Sequence, residues 1–370
     1  MTRTDRIRVL VVDDSVVIRR LVTDVLDADP QVEVVGVAQN GRIAVDKVAE
    51  LNPDAVTMDI EMPEMNGIQA VRALRRTHPR LPIVMFSTLT ERGASATLDA
   101  LAAGASDYVT KPSNVGSVAE SQQSVREQLI PKLIALCGRR RLPAQGSGRP
   151  LSSMLPPVVA APPTARPPRT APLGVLAIGC STGGPDALAT LLPALPADLP
   201  VPVIVVQHMP PLFTKMLAQR LNGSCPLEVL EAAEGDAVRP GRILIAPGGF
   251  HLEVRPRAGS VVTHLSEDPP ENFCRPAVDV MFRSVSATYG ERALGVVLTG
   301  MGKDGERGAK VIRSAGGEVF VQDEPTSVVW GMPGAVAAAG QADRVIPLPQ
   351  IAAELISALG RRPVPVGSAR

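Results

Sequence analysis

At 370 residues the chain is longer than one ordinary core, so two domains are expected. Its 45% apolar content supports packed cores rather than disorder, and 38 basic against 37 acidic residues gives no pull toward nucleic acid or an anionic membrane. Aromatics at 2% argue against base-stacking platforms. The opening stretch MTRTDRIRVLVVDD has no signal-peptide apolar region, and no uninterrupted apolar run is long enough to span a bilayer. Cys137, Cys180, Cys225 and Cys274 are far apart, with no C-x-x-C, which suits reduced thiols in a soluble cytoplasmic protein.

Strand-like apolar runs at 7–12, 32–37, 55–58, 83–86 and 107–109 alternate with amphipathic stretches near 15–28, 41–51, 66–77, 93–103 and 118–136. Five such units predict a parallel sheet with helices on both faces. From 139 to 172 the chain is rich in Pro, Arg and Ala without hydrophobic period, which predicts an extended linker. Strand-like runs resume at 173–178, 201–206, 242–246, 252–254, 261–264, 294–299 and 318–321, a second α/β domain. The expected divisions are 1–138, linker 139–172, second domain 173–358 and an unstructured tail 359–370.

In the first domain Asp13 and Asp14 close the first strand and Asp59 the third, while Ser87 and Lys111 follow the fourth and fifth. Strand C-termini of a parallel sheet share one edge, and with order 2-1-3-4-5 the three carboxylates converge where strand order reverses. Clustered carboxylates repel unless a cation sits among them, and Mg²⁺ suits a few carboxylates with waters and phosphate oxygens. With Lys111 and a hydroxyl alongside, this is a site for an aspartyl phosphate. The simpler alternative is that Asp13, Asp14 and Ser15 only cap the first helix.

The segments VVDDS, MDIEMPEMNG, FSTLT and DYVTKP give residues 7–137 a strong similarity to response-regulator receiver domains, which are flavodoxin-like. The resemblance implies Asp59 as phosphoacceptor, Asp13 and Asp14 as Mg²⁺ carboxylates, Ser87 and Lys111 as switch hydroxyl and lysine, and a histidine kinase as phosphodonor. Tyr108 fills the usual aromatic switch position, with ordinary edge packing as the alternative.

In the second domain the stretch AIGCSTGGP puts Ser181 at a small-residue turn after an apolar run, with the pattern G-x-S-x-G from Gly179 to Gly183. His208 follows VPVIVVQ and Asp304 follows ALGVVLTGMGK, two further strand ends. The three groups are thus placed to share one sheet edge, where a Ser-His-Asp relay can form. The backbone N–H of Met301, in TGMGKDG, is a candidate oxyanion donor. Each has a simpler reading: Ser181 as cap of the helix at Pro185, His208 as a core histidine, Asp304 as cap of the helix from Glu306. An α/β-hydrolase orders its triad Ser…Asp/Glu…His, which here would need His264 from inside a strand-like run. The G-x-G-x-x-G from Gly300 to Gly305 suggests dinucleotide binding, but it comes late in the domain and Asp304 would face the pyrophosphate.

Together GCSTGGP, QHMP, LTGMGKDG and QDEPTSVVWGMP resemble the chemotaxis protein-glutamate methylesterases of CheB type, in both domains and their order. The resemblance implies two doubly wound parallel-sheet domains joined by a Pro-rich linker. It implies Ser181 as nucleophile, His208 as base and Asp304 as orienting acid, acting on glutamate methyl esters of chemoreceptors. Deamidation of particular receptor glutamines is also implied. Mg²⁺ would serve the receiver, with no cofactor for the esterase, no nucleic-acid partner and no membrane insertion. A non-catalytic response regulator is the alternative. NFCRPAVDVMF departs from the family pattern, with Cys274 and Ala277 where His and Ser are frequent, and His251 matches a family position near the site.

Overall fold

The structure, a computed structural model, describes residues 6–112, 117–138 and 171–360. The expected linker up to residue 170 and the expected tail beyond residue 360 lie outside the described residues. The chain divides into two compact units, Met1–Met154 and Leu155–Arg370.

In the first unit β1 (Ile7–Val12), β2 (Val32–Ala38), β3 (Ala55–Asp59), β4 (Ile83–Ser87) and β5 (Asp107–Thr110) alternate with α1 (Val16–Asp27), α2 (Gly41–Leu51), α3 (Gly67–Thr77), α4 (Glu91–Ala102) and α5 (Val118–Cys137). All strand pairs are parallel, in the predicted order β2-β1-β3-β4-β5. Every residue of β3 and β4 is buried, as expected of strands covered on both faces. Val9 and Val11 of β1 pack with Val22, Val25 and Leu26 of α1 and Val125, Leu129 and Leu133 of α5. Ser15 alone caps α1, its hydroxyl accepting from the Ile18 N–H, so Asp13 and Asp14 are not the cap.

The second unit holds a seven-stranded parallel sheet of order β14-β13-β12-β6-β7-β9-β8. Its strands are β6 (Val175–Cys180), β7 (Val203–Gln207), β8 (Glu228–Glu231), β9 (Arg242–Ile245), β12 (Ala293–Val297), β13 (Glu318–Gln322) and β14 (Arg344–Ile346). An antiparallel hairpin, β10 (His251–Arg257) with β11 (Ser260–Ser266), stands apart from the sheet. The helices are α6 (Gly184–Leu191), α7 (Phe213–Asn222), α8 (Val278–Tyr289), α9 (Glu306–Ser314), α10 (Met332–Ala338) and α11 (Leu348–Ala358). Val175 and Ala177 of β6, Ile204 and Val206 of β7 and Val297 of β12 pack with Val278, Met281, Phe282 and Val285 of α8. The two strands absent from the sequence reading, β8 and β14, are the sheet's edges. They are short and partly exposed, and edge strands suppress the apolar signal that betrays interior ones. Both units are doubly wound α/β folds.

Candidate active site and phosphoryl site

In the first unit β1 and β3 are neighbours, so their C-terminal ends bring Asp13, Asp14 and Asp59 together, with one carboxylate oxygen of each within 4.8 Å of the others. Asp13 and Asp59 are buried while Asp14 is exposed. Lys111, just after β5, lies 2.8 Å from Asp59 Oδ1 and 3.0 Å from Asp13 Oδ2. Burial, then the charge of Asp13, pushes the Asp59 carboxyl up to about 6 against the opposing pull of Lys111. Burial works against the Lys111 ammonium, but its two carboxylate partners outweigh that and raise it. Asp13 Oδ2 is buried with no hydrogen bond of good geometry, although the ammonium lies near it. Hard oxygen donors with an unsatisfied lone pair suit Mg²⁺, so the residues present fit that ion.

Asp59, Ser87 and Lys111 line a cleft of about 300 Å³ together with Asp14, Glu61 and Thr88. The Ser87 hydroxyl is engaged with α4: it accepts from Thr97 Oγ1 at 2.5 Å and donates toward Gly93 O at 3.2 Å. The Tyr108 ring is buried, with Lys132 Nζ 5.2 Å from its centroid and bonded to the Tyr108 carbonyl.

In the second unit β12, β6 and β7 are adjacent at the centre of the sheet. Ser181 directly follows β6, His208 directly follows β7, and Asp304 lies in the loop between β12 and α9. His208 Nε2 lies 2.8 Å from Asp304 Oδ2. Asp304 is buried and accepts five hydrogen bonds. Oδ1 takes Asn272 Nδ2, Asp279 N and Gly305 N; Oδ2 takes Val278 N as well as His208. Burial alone would raise this carboxyl, but the bonds and charge of His208 and the two α8 N–H groups hold it below its ordinary value. Burial opposes the His208 imidazolium, yet Asp304 and the Cys274 sulfur together raise the ring above its ordinary value. The contact with Asp304 puts the neutral ring's proton on Nε2 and its lone pair on Nδ1. That nitrogen lies 3.5 Å from Cys274 Sγ. No hydrogen bond joins Ser181 Oγ to His208 among the described residues.

The Ser181 turn is braced from two sides. Gln207 donates to the Ser181 and His208 carbonyls, and Ser181 N–H bonds Thr299 O. Thr299 Oγ1 donates to Thr182 O and accepts from Val329 N, and Gln322 Oε1 accepts from Thr299 N. Gly300 is required: a Cβ there would lie 2.3 Å from Met332 Sδ and 2.9 Å from Ser181 Cβ. The next residue, Met301, has an N–H that meets no acceptor among the described residues.

The simpler readings of two residues fail. α6 is capped by Gly183 in the left-handed region with no side-chain bond, so Ser181 is not its cap. α9 is likewise capped by Gly305, and the Asp304 carboxylate faces His208 and α8. His264, on the hairpin, faces Glu234 of the loop between β8 and β9. His251 is buried, its Nδ1 accepting from Ala277 N and its Nε2 facing Pro269 O, the bonding of a packed histidine. Asn272, Asp279, Gln207 and Thr299 carry much of the site's order and had no assigned role from sequence. Gln207 stands within QHMP, but nothing in that segment shows which loop its amide will bridge.

Residues 176–355 match the family described as CheB methylesterase, and residues 9–121 the response regulator receiver domain. The chain is 57% identical over 372 positions to a protein-glutamate methylesterase/protein-glutamine glutaminase of Nocardioides sp., spanning 98% of this chain and 99% of that one. It is 46% identical over 363 positions to the protein of that name from Trichodesmium erythraeum, spanning 96% and 99%. Among solved structures, the Thermotoga maritima CheB methylesterase catalytic domain is 44% identical, with TM-score 0.49, covering 50% of this chain and 98% of that one.

Proposed function

The chain belongs to the CheB family of protein-glutamate methylesterase/protein-glutamine glutaminases with a receiver domain, and on that premise we propose how its residues divide the work. The enzyme is a phosphorylation-regulated hydrolase. In the proposed mechanism Ser181 Oγ attacks the γ-carbonyl of a methylated glutamate on a chemoreceptor as His208 Nδ1 takes its proton. Nδ1 is the nitrogen left for this task because Asp304 holds Nε2. Asp304 fixes the tautomer and stabilises the imidazolium. The Met301 N–H, on the backbone beside Ser181, receives the developing oxyanion. His208 returns the proton to the leaving methanol, then takes one from the water that cleaves the acyl-enzyme. A glutamine side chain follows the same course, with ammonia leaving.

In the receiver, Asp59 accepts the phosphoryl group from a histidine kinase, and Asp13, Asp14 and Asp59 would hold Mg²⁺. The ion, when bound, offsets the negative charge gathered at the carboxylates. Lys111 bridges Asp13 and Asp59 and is placed to follow the charge added at Asp59. Cytoplasmic placement fits this chemistry, and no helix among the described residues is long and apolar enough to cross a membrane.

The observation that carries the esterase reading is the His208–Asp304 pair at the strand end beside Ser181, a half-buried imidazole on a buried carboxylate. Its test sets Ser181→Ala against Cys180→Ala, with methanol release from methyl-labelled receptor membranes as readout. Cys180 is buried, its sulfur directed to Gln207 Oε1 and its thiol raised by burial, so the adjacent thiol is a poor substitute nucleophile. Loss of turnover in Ser181→Ala with most activity kept in Cys180→Ala is expected. The reverse pattern overturns the assignment.

A further inference from the structure

Glu271 to Cys274 form a two-residue hairpin closed by both backbone bonds, Glu271 N to Cys274 O at 3.1 Å and Cys274 N to Glu271 O at 2.9 Å. Its central residues, Asn272 (φ 51°) and Phe273 (φ 64°), both lie in the left-handed region. A turn of this shape favours Asn followed by Gly. Asn272 fits, but Phe273 stands where glycine is at ease and a bulky residue is strained. Packing does not explain it: Phe273 is 102% exposed, the one aromatic among the large exposed hydrophobic residues described.

The turn is nonetheless firmly placed. Asn272 Nδ2 donates to Asp304 Oδ1 at 2.9 Å and Asp279 Oδ2 at 3.0 Å. Cys274 Sγ abuts His208 Nδ1, and Arg283 grips the Glu271 carboxylate with two bonds. The tip of the turn is therefore held in fixed relation to His208 and Asp304. A second exposed apolar residue, Val328, covers Gly183 two positions from Ser181.

We propose that Phe273 is a substrate-specificity residue, an apolar anchor that packs on aliphatic side chains of the receptor helix beside the scissile glutamyl ester. This rests on the reading of Ser181, His208 and Asp304 given above. A strained and fully exposed aromatic gains its partner only when substrate is bound, and its anchoring through Asn272 ties that contact to the position of the reacting pair. Phe273 takes no part in bond making, so it acts on receptor recognition and not on the chemical step.

The test uses the full chain and two substrates: methyl-labelled receptor membranes and a free glutamate γ-methyl ester. Phe273→Gly relieves the backbone strain, so its melting temperature is expected to equal or exceed the parent's. Its KM for receptor should rise about tenfold, and the ratio of receptor to free-ester kcat/KM should fall by a similar factor. Phe273→Leu restores apolar bulk and should recover most of that ratio, whereas Phe273→Asn, which tolerates the backbone, should not. A receptor to free-ester ratio within twofold of the parent's in both Phe273→Gly and Phe273→Asn overturns the proposal. So does a failure of Phe273→Leu to exceed Phe273→Asn. Ser181→Ala run in parallel separates the two levels: if it retains turnover, the site reading fails, and if it is inactive while the ratio stands still, only the anchor does.

Discussion

Replacing Asp304 by Asn changes one atom, yet the hydrogen bonds around it make that a severe change. The carboxylate accepts three N–H groups on Oδ1 and two on Oδ2, and an amide keeps only one oxygen. With the amide oxygen at the Oδ1 position, the NH₂ faces Val278 N–H and His208 Nε2–H. The opposite placement opposes three donors and is worse. The ring can escape by moving its proton from Nε2 to Nδ1, but the Val278 N–H cannot. One stranded buried donor costs about 1–3 kcal/mol, which lowers the melting temperature by about 2–12 °C for a domain of this size. The tautomer shift also leaves Nδ1 carrying a proton, so Ser181 loses its acceptor, and turnover should fall by about 10³–10⁴. Calorimetry and methanol release on the same preparation read both effects. A variant that melts with the parent and turns over within about tenfold of it would refute the tautomer argument. Loss of stability with turnover intact would reduce Asp304 to a structural acceptor.

Gly300→Ala puts a methyl against buried Met332 and Ser181, so a stability loss of about 1–3 kcal/mol with reduced turnover is expected by melting and kinetics, and a variant matching the parent in both contradicts the close approach. Because the His208 imidazolium is favoured in the folded enzyme, kcat/KM should climb with pH along a limb above 6.5, the unperturbed value. Stability moves oppositely: the contribution of this pair is full below the unfolded value and is lost as pH rises through the raised folded one. Cys274→Ala removes one raising influence and should shift the limb to lower pH, so an unmoved limb would show that the sulfur contact is inert. Asp59→Asn should fold normally yet gain no esterase activity from acetyl phosphate; a variant that does respond, with phosphate found by mass spectrometry on another residue, would displace Asp59 as acceptor.

The residues most legible in the sequence are those whose places follow from strand ends. Asp13, Asp59, Ser181 and His208 each close or follow a buried apolar strand, and strand order then decides which of them meet. Asp304 was legible as a loop acid after a strand, but its five donors were not, since Val278 and Asp279 come from a helix start and Asn272 from a distant turn. Which ring nitrogen of His208 faces the carboxylate depends on the angle of approach across the end of β6, which no spacing encodes. The contact of Cys274 with Nδ1 follows from a hairpin whose left-handed Phe273 contradicts local preference. β8 and β14 are hard to read because short, partly exposed edge strands look like loops.

The sheet order also governs when during synthesis the molecule becomes able to cleave an ester. Ser181 and His208 are made first, just after β6 and β7, but β6 has β12 as its other neighbour, and Asp304 stands 96 residues after His208. The segment that braces Gly300 comes later still, through Val329, Gly331 and Met332. A nascent or truncated chain ending before β12 thus carries both the hydroxyl and the imidazole without the carboxylate that sets the ring. On the proposed mechanism, hydrolytic competence arrives only once the chain has been made through Met332.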